Sequence, residues 1–232
     1  MLPVMKSILA LFAALLTSHG QTIKTHLLTY APAGLPADFQ AFYQTADSVF
    51  EFTASAGTLG TPVLYAGPRK FVIRASKEEF SLPADQLEKK PPLASVTLPP
   101  DADIVLLVCG TGGTGKPRLI AYDVSSGTHA RGSYRVFNFS SKPLSVILGE
   151  QRFTIAPRGD KSVSDPGWKE ETAALTLQIA TIADGKPTLV YSNFWEHYPQ
   201  RRSLMFLFDG RHVSDPIIFS SFDVPAPPVE AP

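Results

Sequence analysis

Cysteine is almost absent from this sequence, and neither sign of charge is in excess. The single cysteine, Cys109, excludes an internal disulfide, so the 232-residue chain must be held together by its hydrophobic core. The 21 basic residues are balanced by 21 acidic ones. A nucleic-acid-binding protein usually shows a basic excess, and electrostatic attraction to an anionic membrane also requires one. We therefore predict no nucleic-acid partner and no membrane binding through net charge.

Patterns that identify catalytic and metal-binding sites are scarce as well. The chain lacks the Gly-x-Ser-x-Gly elbow of serine hydrolases, and its histidines show no short metal-ligand spacing. One alternative is a metal site assembled in space from His197, His212 and Asp215. Asp101 and Asp103 are a second cation candidate, although solvation of a strand end is their expected role. We therefore predict a non-catalytic protein without cofactor or metal.

The first 20 residues have the pattern of a secretory signal peptide. Lys6 provides a positive charge, Ile8–Leu16 form an apolar stretch, and small residues precede Gln21. The apolar stretch is shorter than the roughly 20 residues of a membrane-spanning helix. We predict cleavage between Gly20 and Gln21, a secreted or periplasmic location, and no transmembrane segment in the mature chain. The alternatives are an uncleaved anchor and a buried helix.

Short stretches in which apolar and other residues alternate recur between prolines and glycines. Their apolar members include Phe71 and Ile73; Ile120, Tyr122 and Val124; Phe153 and Ile155; and Leu175, Leu177 and Ile179. A period of two places these side chains on one face of a strand. Many such strands at regular spacing predict an all-β chain, here two tandem β-sandwich halves after the signal peptide.

Two runs are apolar without alternation, Ile104–Cys109 and Leu204–Phe208. Each has the length of a strand that is covered on both faces, either in the centre of a sandwich or beneath a contact between domains. Helical signals are few. We expect at most one to three short helices, at Pro36–Thr45, at Ala84–Lys89 and after the capping residue Asp165.

A small and polar stretch, Ser125–Ser133, divides the chain into halves of about equal size. We predict a first β-sandwich domain at 21–126, a linker at 127–133, a second domain at 134–223 and a disordered proline-rich tail at 224–232. Each half contains a Gly-Lys-Pro turn, and the two turns are 70 positions apart. An internal duplication and convergence of hairpin turns remain equal alternatives.

The segment GTGGTGK follows an apolar run and approaches the pattern of a phosphate-binding loop. Gly110, Gly115 and Lys116 have the required spacing. Pro117 stands where the motif requires a Mg²⁺-binding hydroxyl, and an alternating stretch follows where it requires a helix. Asp209 ends a strand that resembles the Mg²⁺-binding strand of such enzymes, but Asp-Gly is also ordinary turn chemistry. We predict a hairpin turn.

Two further residues have a structural interpretation. Cys109 ends an apolar run, so we expect a buried side chain rather than a catalytic thiol. Asn138 lies in a formal glycosylation acceptor, Asn-Phe-Ser, which matters only in a eukaryotic producer.

The segment from Asn193 to Arg202 concentrates residue types that dominate binding hot spots. Its candidate recognition residues are Phe194, Trp195, His197, Tyr198, Arg201 and Arg202. Because the segment joins two predicted strands, we expect it to form a loop. Its aromatic rings are also candidates for stacking on sugars. The alternative is that these rings plug one end of the sandwich while the arginines face water.

The second half reads YRVFNFSSKPLSVILGEQRFTIAPRG, then an alternating strand, then GKPTLVYSN, with turns at Gly149 and Pro157. This spacing over residues 134–223 resembles the immunoglobulin-like sandwich modules of uncharacterised secreted bacterial envelope proteins. The Cys–Trp–Cys signature of true immunoglobulin domains is missing. The resemblance implies a scaffold or binder and no catalytic residues.

Taken together, these observations predict a non-catalytic structural or binding module of the cell envelope, secreted or periplasmic, whose partner is an envelope protein or glycan. The first alternative is an exported carbohydrate-binding module that uses the segment around Trp195. The remote alternatives are a metal-assisted hydrolase and a nucleotide-binding protein.

Overall fold

The structure is a computed structural model that describes residues 22–32, 35, 39–111, 115–164, 173–212 and 215–226. The predicted signal peptide, the helix predicted after Asp165 and most of the predicted tail lie outside these residues. Within the described ranges, no helix is long and apolar enough to cross a membrane.

The described part of the chain is mostly β, as predicted. The strands before residue 125 are β1 Thr22–Tyr30, β2 Phe42–Gln44, β3 Val49–Glu51, β4 Val63–Pro68, β5 Lys70–Ile73, β6 Ala94–Thr97, β7 Ile104–Thr111 and β8 Pro117–Asp123. Those after it are β9 Tyr134–Asn138, β10 Leu144–Leu148, β11 Gln151–Ile155, β12 Asp160–Val163, β13 Ala173–Ala183, β14 Lys186–His197, β15 Ser203–His212 and β16 Asp215–Asp223.

Helical structure in the described ranges is confined to a 3-10 turn at Glu78–Ser81 and one turn of α-helix, α1, at Ala84–Leu87. The second of these confirms the helix predicted near residue 84. The helix predicted over Pro36–Thr45 is wrong where the structure describes it, because β2 occupies its end. Phe42 and Tyr43 are buried there, and pairing of β2 with β3 overrides the local helical signal.

In the described residues, three four-stranded sheets carry the fold. Sheet 1 has the order β4-β1-β7-β8, sheet 2 the order β12-β9-β15-β16, and sheet 3 the order β11-β10-β13-β14. Two small hairpin sheets, β2-β3 and β5-β6, complete the first half. The central pairs β1–β7 and β9–β15 are parallel, and every other pairing in these sheets is antiparallel.

The sheets stack in layers, and sheets 1 and 2 are apolar on both faces. One face of sheet 1 packs on the small sheets through Leu107 and Cys109, while its other face packs on sheet 2 through Leu106. Sheet 2 in turn contacts sheet 3 through Met205 and Leu207. All of β7 from Ile104 to Cys109 is at most 4% exposed. The two non-alternating runs are therefore strands covered on both sides, as predicted.

The layer between sheets 1 and 2 is rich in stacked aromatic rings. Tyr30 of sheet 1 stacks on Phe206 of sheet 2 with ring centroids 4.2 Å apart. Phe206 also stacks on Phe137 at 5.2 Å, and Phe139 on Phe208 at 5.6 Å. Offset stacking of this kind adds roughly 1 kcal/mol per pair to the gain from burial. This layer joins the two halves of the chain through one hydrophobic core.

Single-face alternation holds for β5, β11 and β13 but not for β8. Leu175, Leu177 and Ile179 are fully buried, whereas Thr176 and Gln178 are half-buried on the outer face of sheet 3. In β8, Ile120 packs into the layer between sheets 1 and 2, while Leu119 packs on the opposite side. The alternation in β8 was therefore no guide to its burial, because both faces of sheet 1 are covered.

The stretch Ser125–Ser133, which contains the linker predicted at 127–133, is a partly buried turn. The Oγ of Ser125 accepts a hydrogen bond from the backbone N–H of Ile104 at 3.2 Å. The Nδ1 of His129 and the Oγ of Ser133 lie 2.9 Å apart in a hydrogen bond. Ser125, His129 and Ser133 are each at most 5% exposed. The segment thus packs between the layers and satisfies polar groups at their edge.

The similarity between the two halves lies in the strand order of sheets 1 and 2 and not in the Gly-Lys-Pro turns. Sheets 1 and 2 share one plan: a parallel central pair, each member with an antiparallel outer neighbour. This plan matches the hairpin β7–β8 to β15–β16. The Gly-Lys-Pro turns, 70 residues apart, instead match β7–β8 to β13–β14, which belongs to sheet 3. Asp184 and Gly185 both have positive φ, as a two-residue hairpin turn requires. The two Gly-Lys-Pro turns therefore belong to hairpins that do not occupy equivalent places in the sheet topology.

Asn138 is a buried structural residue rather than an accessible glycosylation site. Its side-chain amide is 0% exposed and donates to the backbone carbonyls of Lys142 at 2.8 Å and of Ile155 and Ala156, each at 3.1 Å. Its Oδ1 accepts from the backbone N–H of Ser140 at 3.0 Å and from the hydroxyl of that residue. One side chain therefore satisfies several buried polar groups.

We expect Asn138→Asp to lower the free energy of unfolding by about 3 kcal/mol, because it replaces a shared donor with a carboxylate that faces three carbonyl oxygens. The measurement is urea unfolding followed by circular dichroism. The matched control is Asn193→Asp on exposed β14, where Oδ1 only accepts a hydrogen bond, from the N–H of Phe194 at 2.8 Å. Equal losses in both variants would contradict this account.

We also expect Phe206→Ala to lower the free energy of unfolding by about 3–5 kcal/mol, because a fully buried ring is lost from the layer that joins the halves. Phe194→Ala, at a ring that is 72% exposed, should change it by less than about 0.5 kcal/mol. Since the layer is shared, unfolding should remain a single transition in both variants. Two separated transitions in the wild type would show that the shared core does not couple the halves.

Candidate binding site

The segment predicted as a recognition loop is largely a strand. β14 stays paired with β13 through Ala173↔His197, so Phe194, Trp195 and His197 belong to a strand, and the loop prediction is wrong for them. The chain leaves the sheet only at Tyr198–Arg202. The predicted loop contained an alternating strand end whose aromatic residues are typical of β-structure.

The six candidate recognition residues differ in exposure, because successive side chains of a strand point to opposite faces of the sheet. Phe194 is 72% exposed and points away from the neighbouring sheet. Trp195 is half-buried against Phe219 of sheet 2, with ring centroids 5.5 Å apart, and its Nε1–H donates to the hydroxyl of Tyr191 at 3.3 Å. His197 is only 4% exposed. Trp195 thus partly plugs the space between sheets 2 and 3, as the structural alternative supposed.

A cleft of about 300 Å³ opens where β14, the turn after it and β16 meet. We call it the aromatic cleft, and its principal lining residues are Tyr134, Trp195, Glu196, Tyr198, Arg201 and Asp223. Three of the six predicted residues, Trp195, Tyr198 and Arg201, line it. Phe194 and His197 are not among its lining residues, although His197 lies behind Tyr134, with Nδ1 3.1 Å from the tyrosine hydroxyl.

The side chains of the aromatic cleft hold one another in place. The hydroxyl of Tyr198 donates to the carboxylate of Glu196. The guanidinium of Arg201 lies over the ring of Tyr198, 4.0 Å from its centroid, and forms an ion pair with Asp223 at 2.8 Å. The hydroxyl of Ser203 donates to the other oxygen of Asp223 at 3.0 Å. The cleft is therefore assembled before any ligand arrives.

A second cleft of about 360 Å³ adjoins the first and shares Arg201 and Asp223 with it. We call it the arginine cleft, and its principal lining residues are Asp103, Ser126, Arg131, Arg201, Arg202 and Asp223. Arg202, the last of the predicted recognition residues, lies here. Its Nη1 donates to the carbonyl of Val124 at 2.9 Å, which ties the cleft to the end of sheet 1.

The backbone around both clefts is closely tied together. The N–H of Gly132 donates to the carbonyl of Arg201 at 2.7 Å, and that of Val224 donates to the carbonyl of Arg202 at 2.7 Å. Gly132 has φ +72°, and a Cβ there would lie 3.3 Å from the carbonyl oxygen of Pro199. A larger residue would strain this close approach. The predicted linker is thus one wall of the site.

Burial shifts the pKa of several groups near the site. Burial, helped by the charge of Asp223, raises the pKa of Tyr134 to about 12. Burial and the nearby charge of Arg131 lower the pKa of Arg202, which stays protonated at neutral pH. The hydrogen bond to Glu196, together with its charge, raises the pKa of Tyr198. These phenols are therefore neutral hydrogen-bonding groups at physiological pH.

The residues of the phosphate-loop-like segment lie on a β-hairpin. Gly110 belongs to β7, and Gly115 and Lys116 precede β8, which begins at Pro117 where a nucleotide-binding loop requires a helix. Asp209 accepts hydrogen bonds from the backbone N–H and hydroxyl of Ser141, at 2.9 and 3.2 Å. It therefore stabilises a turn between β9 and β10.

Potential metal ligands do not converge in the described residues. His197 is buried beside Tyr134, while His212 is exposed at the far end of β15, and the side chain of Asp215 lies outside the described set. Asp101 and Asp103 are exposed at the entry to β7. Across the described ranges, no group of three or more His, Cys, Asp or Glu is placed to hold a metal.

Cys109 is fully buried on the side of sheet 1 that faces the small hairpin sheets. Burial raises the pKa of its thiol to about 11. Because only the thiolate is an effective nucleophile, this side chain is inert at neutral pH.

Several residues that line the two clefts were not foreseen from the sequence, among them Arg131, Tyr134, Glu196 and Asp223. Glu196 was overlooked within the recognised segment. Asp223 faces Ser203 across the β15–β16 ladder, a pairing that a prediction of that hairpin register would have suggested. Arg131 and Tyr134 come from the predicted linker and the strand after it, about 60 residues before the segment begins. No local signal connects them with it.

We expect the free energy of unfolding to fall by about 2 kcal/mol between about pH 7.5 and pH 5 because of His129. Burial, with the charges of Arg202 and Arg135, lowers the pKa of this histidine from its usual 6.5 to about 4. Between those values the unfolded chain binds a proton that the folded chain does not. This contribution is therefore complete above pH 6.5 and is lost as the pH falls toward 4.

The measurement is urea unfolding at a series of pH values for the wild type and for His129→Gln. The variant should lack this part of the pH dependence. His26→Gln, at a half-buried histidine on β1, is the control and should retain it. An unchanged pH profile in His129→Gln would refute the assignment.

Comparison with known proteins adds no relative: a scan against protein-family models and a search of curated proteins each found no match.

Proposed function

We propose that this chain is a non-catalytic binding module of a secreted or periplasmic protein, and that it recognises a cell-envelope partner through the aromatic cleft. The observation that carries the proposal is the preassembled set of Trp195, Tyr198, Arg201 and Asp223 in one cleft. The secreted or periplasmic location rests on the signal-peptide pattern of residues 1–20.

The composition of the aromatic cleft supports a binding role. Tryptophan, tyrosine and arginine are the residues most enriched among those that dominate binding energy at interfaces. Here Arg201 is held between the ring of Tyr198 and the carboxylate of Asp223, so its side chain is already ordered. Ordering a side chain on binding costs about 0.5–1.5 kcal/mol, and prior order avoids most of that cost.

The state of the reactive groups supports a non-catalytic role. The hydroxyl of Ser203 donates to Asp223 with no histidine between them, so a general base for a serine nucleophile is not in position. The raised pKa of Tyr134 removes it as a base near neutrality, and His197 behind it is buried. Cys109 is buried in another layer.

The layered sheets suit a scaffold for such a site. Loops and strand ends carry binding residues best when a rigid core positions them. The cleft lies at the ends of β14 and β16, beside a core that is buried on both faces of sheet 2. The immunoglobulin-like spacing of residues 134–223 is in keeping with a scaffold or binder in the envelope, with a protein or glycan as partner.

A carbohydrate-binding module is the second candidate. The carboxylates of Glu196 and Asp223 are suited to accept hydrogen bonds from sugar hydroxyls, and Trp195 is partly exposed beside them. Stacking on a sugar requires an open ring face. Arg201 covers one face of Tyr198, and Trp195 packs on Phe219, so the available platform is small. These contacts favour a protein partner over a glycan.

The test is quantitative capture from an envelope fraction of the producing organism, with wild-type protein and variants immobilised at equal density. Tyr198→Ala should lose at least one component that the wild type retains, with recovery reduced about tenfold, because an ordered hot-spot ring is removed. Phe194→Ala, which removes an exposed ring of the same strand outside the cleft, should retain it. A glycan array with the same proteins separates the carbohydrate candidate.

Three outcomes decide the proposal. Loss in Tyr198→Ala alone supports binding through the aromatic cleft. Equal profiles for all three proteins, with no glycan bound, would rule out recognition through this cleft. Turnover of hydrolase substrates by the wild type that Tyr198→Ala abolishes would replace the binding module with an enzyme.

A further inference from the structure

The described lining of the arginine cleft has an excess of positive charge, with three arginines against two aspartates. Arg201 is paired with Asp223, but the side chain of Arg202 bonds, within the described ranges, only to the backbone carbonyl of Val124. Arg131 is exposed and makes no hydrogen bond or ion pair with any described residue. The remaining carboxylate, that of Asp103, forms no ion pair within the described ranges. Among the described residues, the guanidiniums of Arg131 and Arg202 therefore lie in one concave surface and neither forms an ion pair.

The guanidiniums of Arg131 and Arg202, neither of which forms an ion pair with a described residue, repel one another. The nearby charge of Arg131, after burial, lowers the pKa of Arg202, so each charge acts on the other. Such an arrangement costs free energy in the unliganded protein, and a bound anion would relieve it. In a chain whose total charge is zero, this excess of three arginines over two aspartates is local and lies beside the proposed binding site.

We propose that the arginine cleft binds carboxylate side chains of an acidic peptide segment in the protein partner. The inference rests on the proposed function, because the two clefts share Arg201 and Asp223 and so form one continuous surface. Arg131 and Arg202 bind the carboxylates, while the aromatic cleft holds the adjoining part of the partner.

The chemistry of the lining favours a peptide over an acidic sugar. Guanidinium groups match carboxylates with two parallel hydrogen bonds, which gives direction as well as charge. Ser126 and Gln200 offer a hydroxyl and an amide for peptide groups, and Ile104 and Val224 offer aliphatic surface for side-chain stems. None of the described residues that line the arginine cleft is aromatic, so they offer no platform on which a sugar would stack.

The rigidity of the walls supports the same inference. Arg202 is fixed at both its backbone and its side chain, through Val224 and Val124. Arg131 adjoins Gly132, whose N–H bonds to the carbonyl of Arg201. The fold therefore fixes the Arg202 guanidinium and the backbone at Arg131, while the Arg131 guanidinium keeps its donors free for a carboxylate.

The experiment measures the binding of a fluorescein-labelled hexaglutamate peptide to the full chain by fluorescence anisotropy. A hexaglutamine peptide is the ligand control, and unlabelled polygalacturonate is the acidic saccharide competitor. We expect the glutamate peptide to bind, the glutamine peptide not to bind, and affinity to fall at least about fivefold between low and physiological salt.

Arg131→Gln should weaken peptide binding about fivefold or more, and Arg202→Gln by a similar factor, because each removes one charged donor. Arg152→Gln is the matched control, since Arg152 is an exposed arginine of β11 outside both clefts. Arg131 has no described partner, so its variant should fold normally, as circular dichroism will verify. If Arg202→Gln does not fold, the comparison of Arg131→Gln with Arg152→Gln is sufficient to test the inference.

Equal binding of the two peptides, or equal weakening by Arg131→Gln and Arg152→Gln, would overturn the inference. Saturable binding of polygalacturonate that depends on Arg131, without peptide binding, would replace the peptide with a saccharide. Failure here leaves Tyr198-dependent capture from the envelope fraction intact. Conversely, peptide binding in a protein whose capture profile is unaffected by Tyr198→Ala would contradict the proposed function but not the anionic site.

Discussion

The aromatic layer between sheets 1 and 2 is the contact on which the rest of the structure depends. Phe206 of β15 lies at its centre. Its ring stacks on Tyr30 of sheet 1, from the first half of the chain, and on Phe137 of the neighbouring strand β9 in its own sheet. Because β7 and β15 are buried on both faces, neither sheet would be stable with this layer exposed to water. The layer therefore fixes how the halves meet, and with it the position of every group at their common edge.

Polar groups at that edge account for the shape of the candidate site. Where the apolar layer ends, the backbone carbonyls of Asp123 and Val124 need donors, and Arg135 and Arg202 supply them. The turn containing His129 fills the remaining space with its own hydrogen bonds. These arginines thus satisfy backbone carbonyls at the edge of the aromatic layer, and the N–H donors that they do not use there remain available for a ligand.

The local rules of β-structure were enough for much of the fold but not for the site. Alternation located β13, and unbroken apolar runs located β7 and β15, because the pattern of apolar residues in a strand reflects which of its faces are buried. The residues near Phe42 were misassigned to a helix because burial and the pairing of β2 with β3 override the local helical signal. Arg131 approaches Arg201 only through tertiary packing, so no spacing in the sequence could have joined them. Asp223 reaches the site through the register of the β15–β16 hairpin, which was not predicted.

The Arg201–Asp223 pair illustrates why these residues matter for recognition rather than for folding. Both side chains are about half-exposed, and an exposed ion pair contributes only about 0–1 kcal/mol to stability. The same pair nevertheless holds the guanidinium over the ring of Tyr198 and keeps Asp223 in place for Ser203. It forms the wall common to both clefts. A contact that adds little to stability yet orders so many polar groups has its main consequence at the surface, where a partner would meet them.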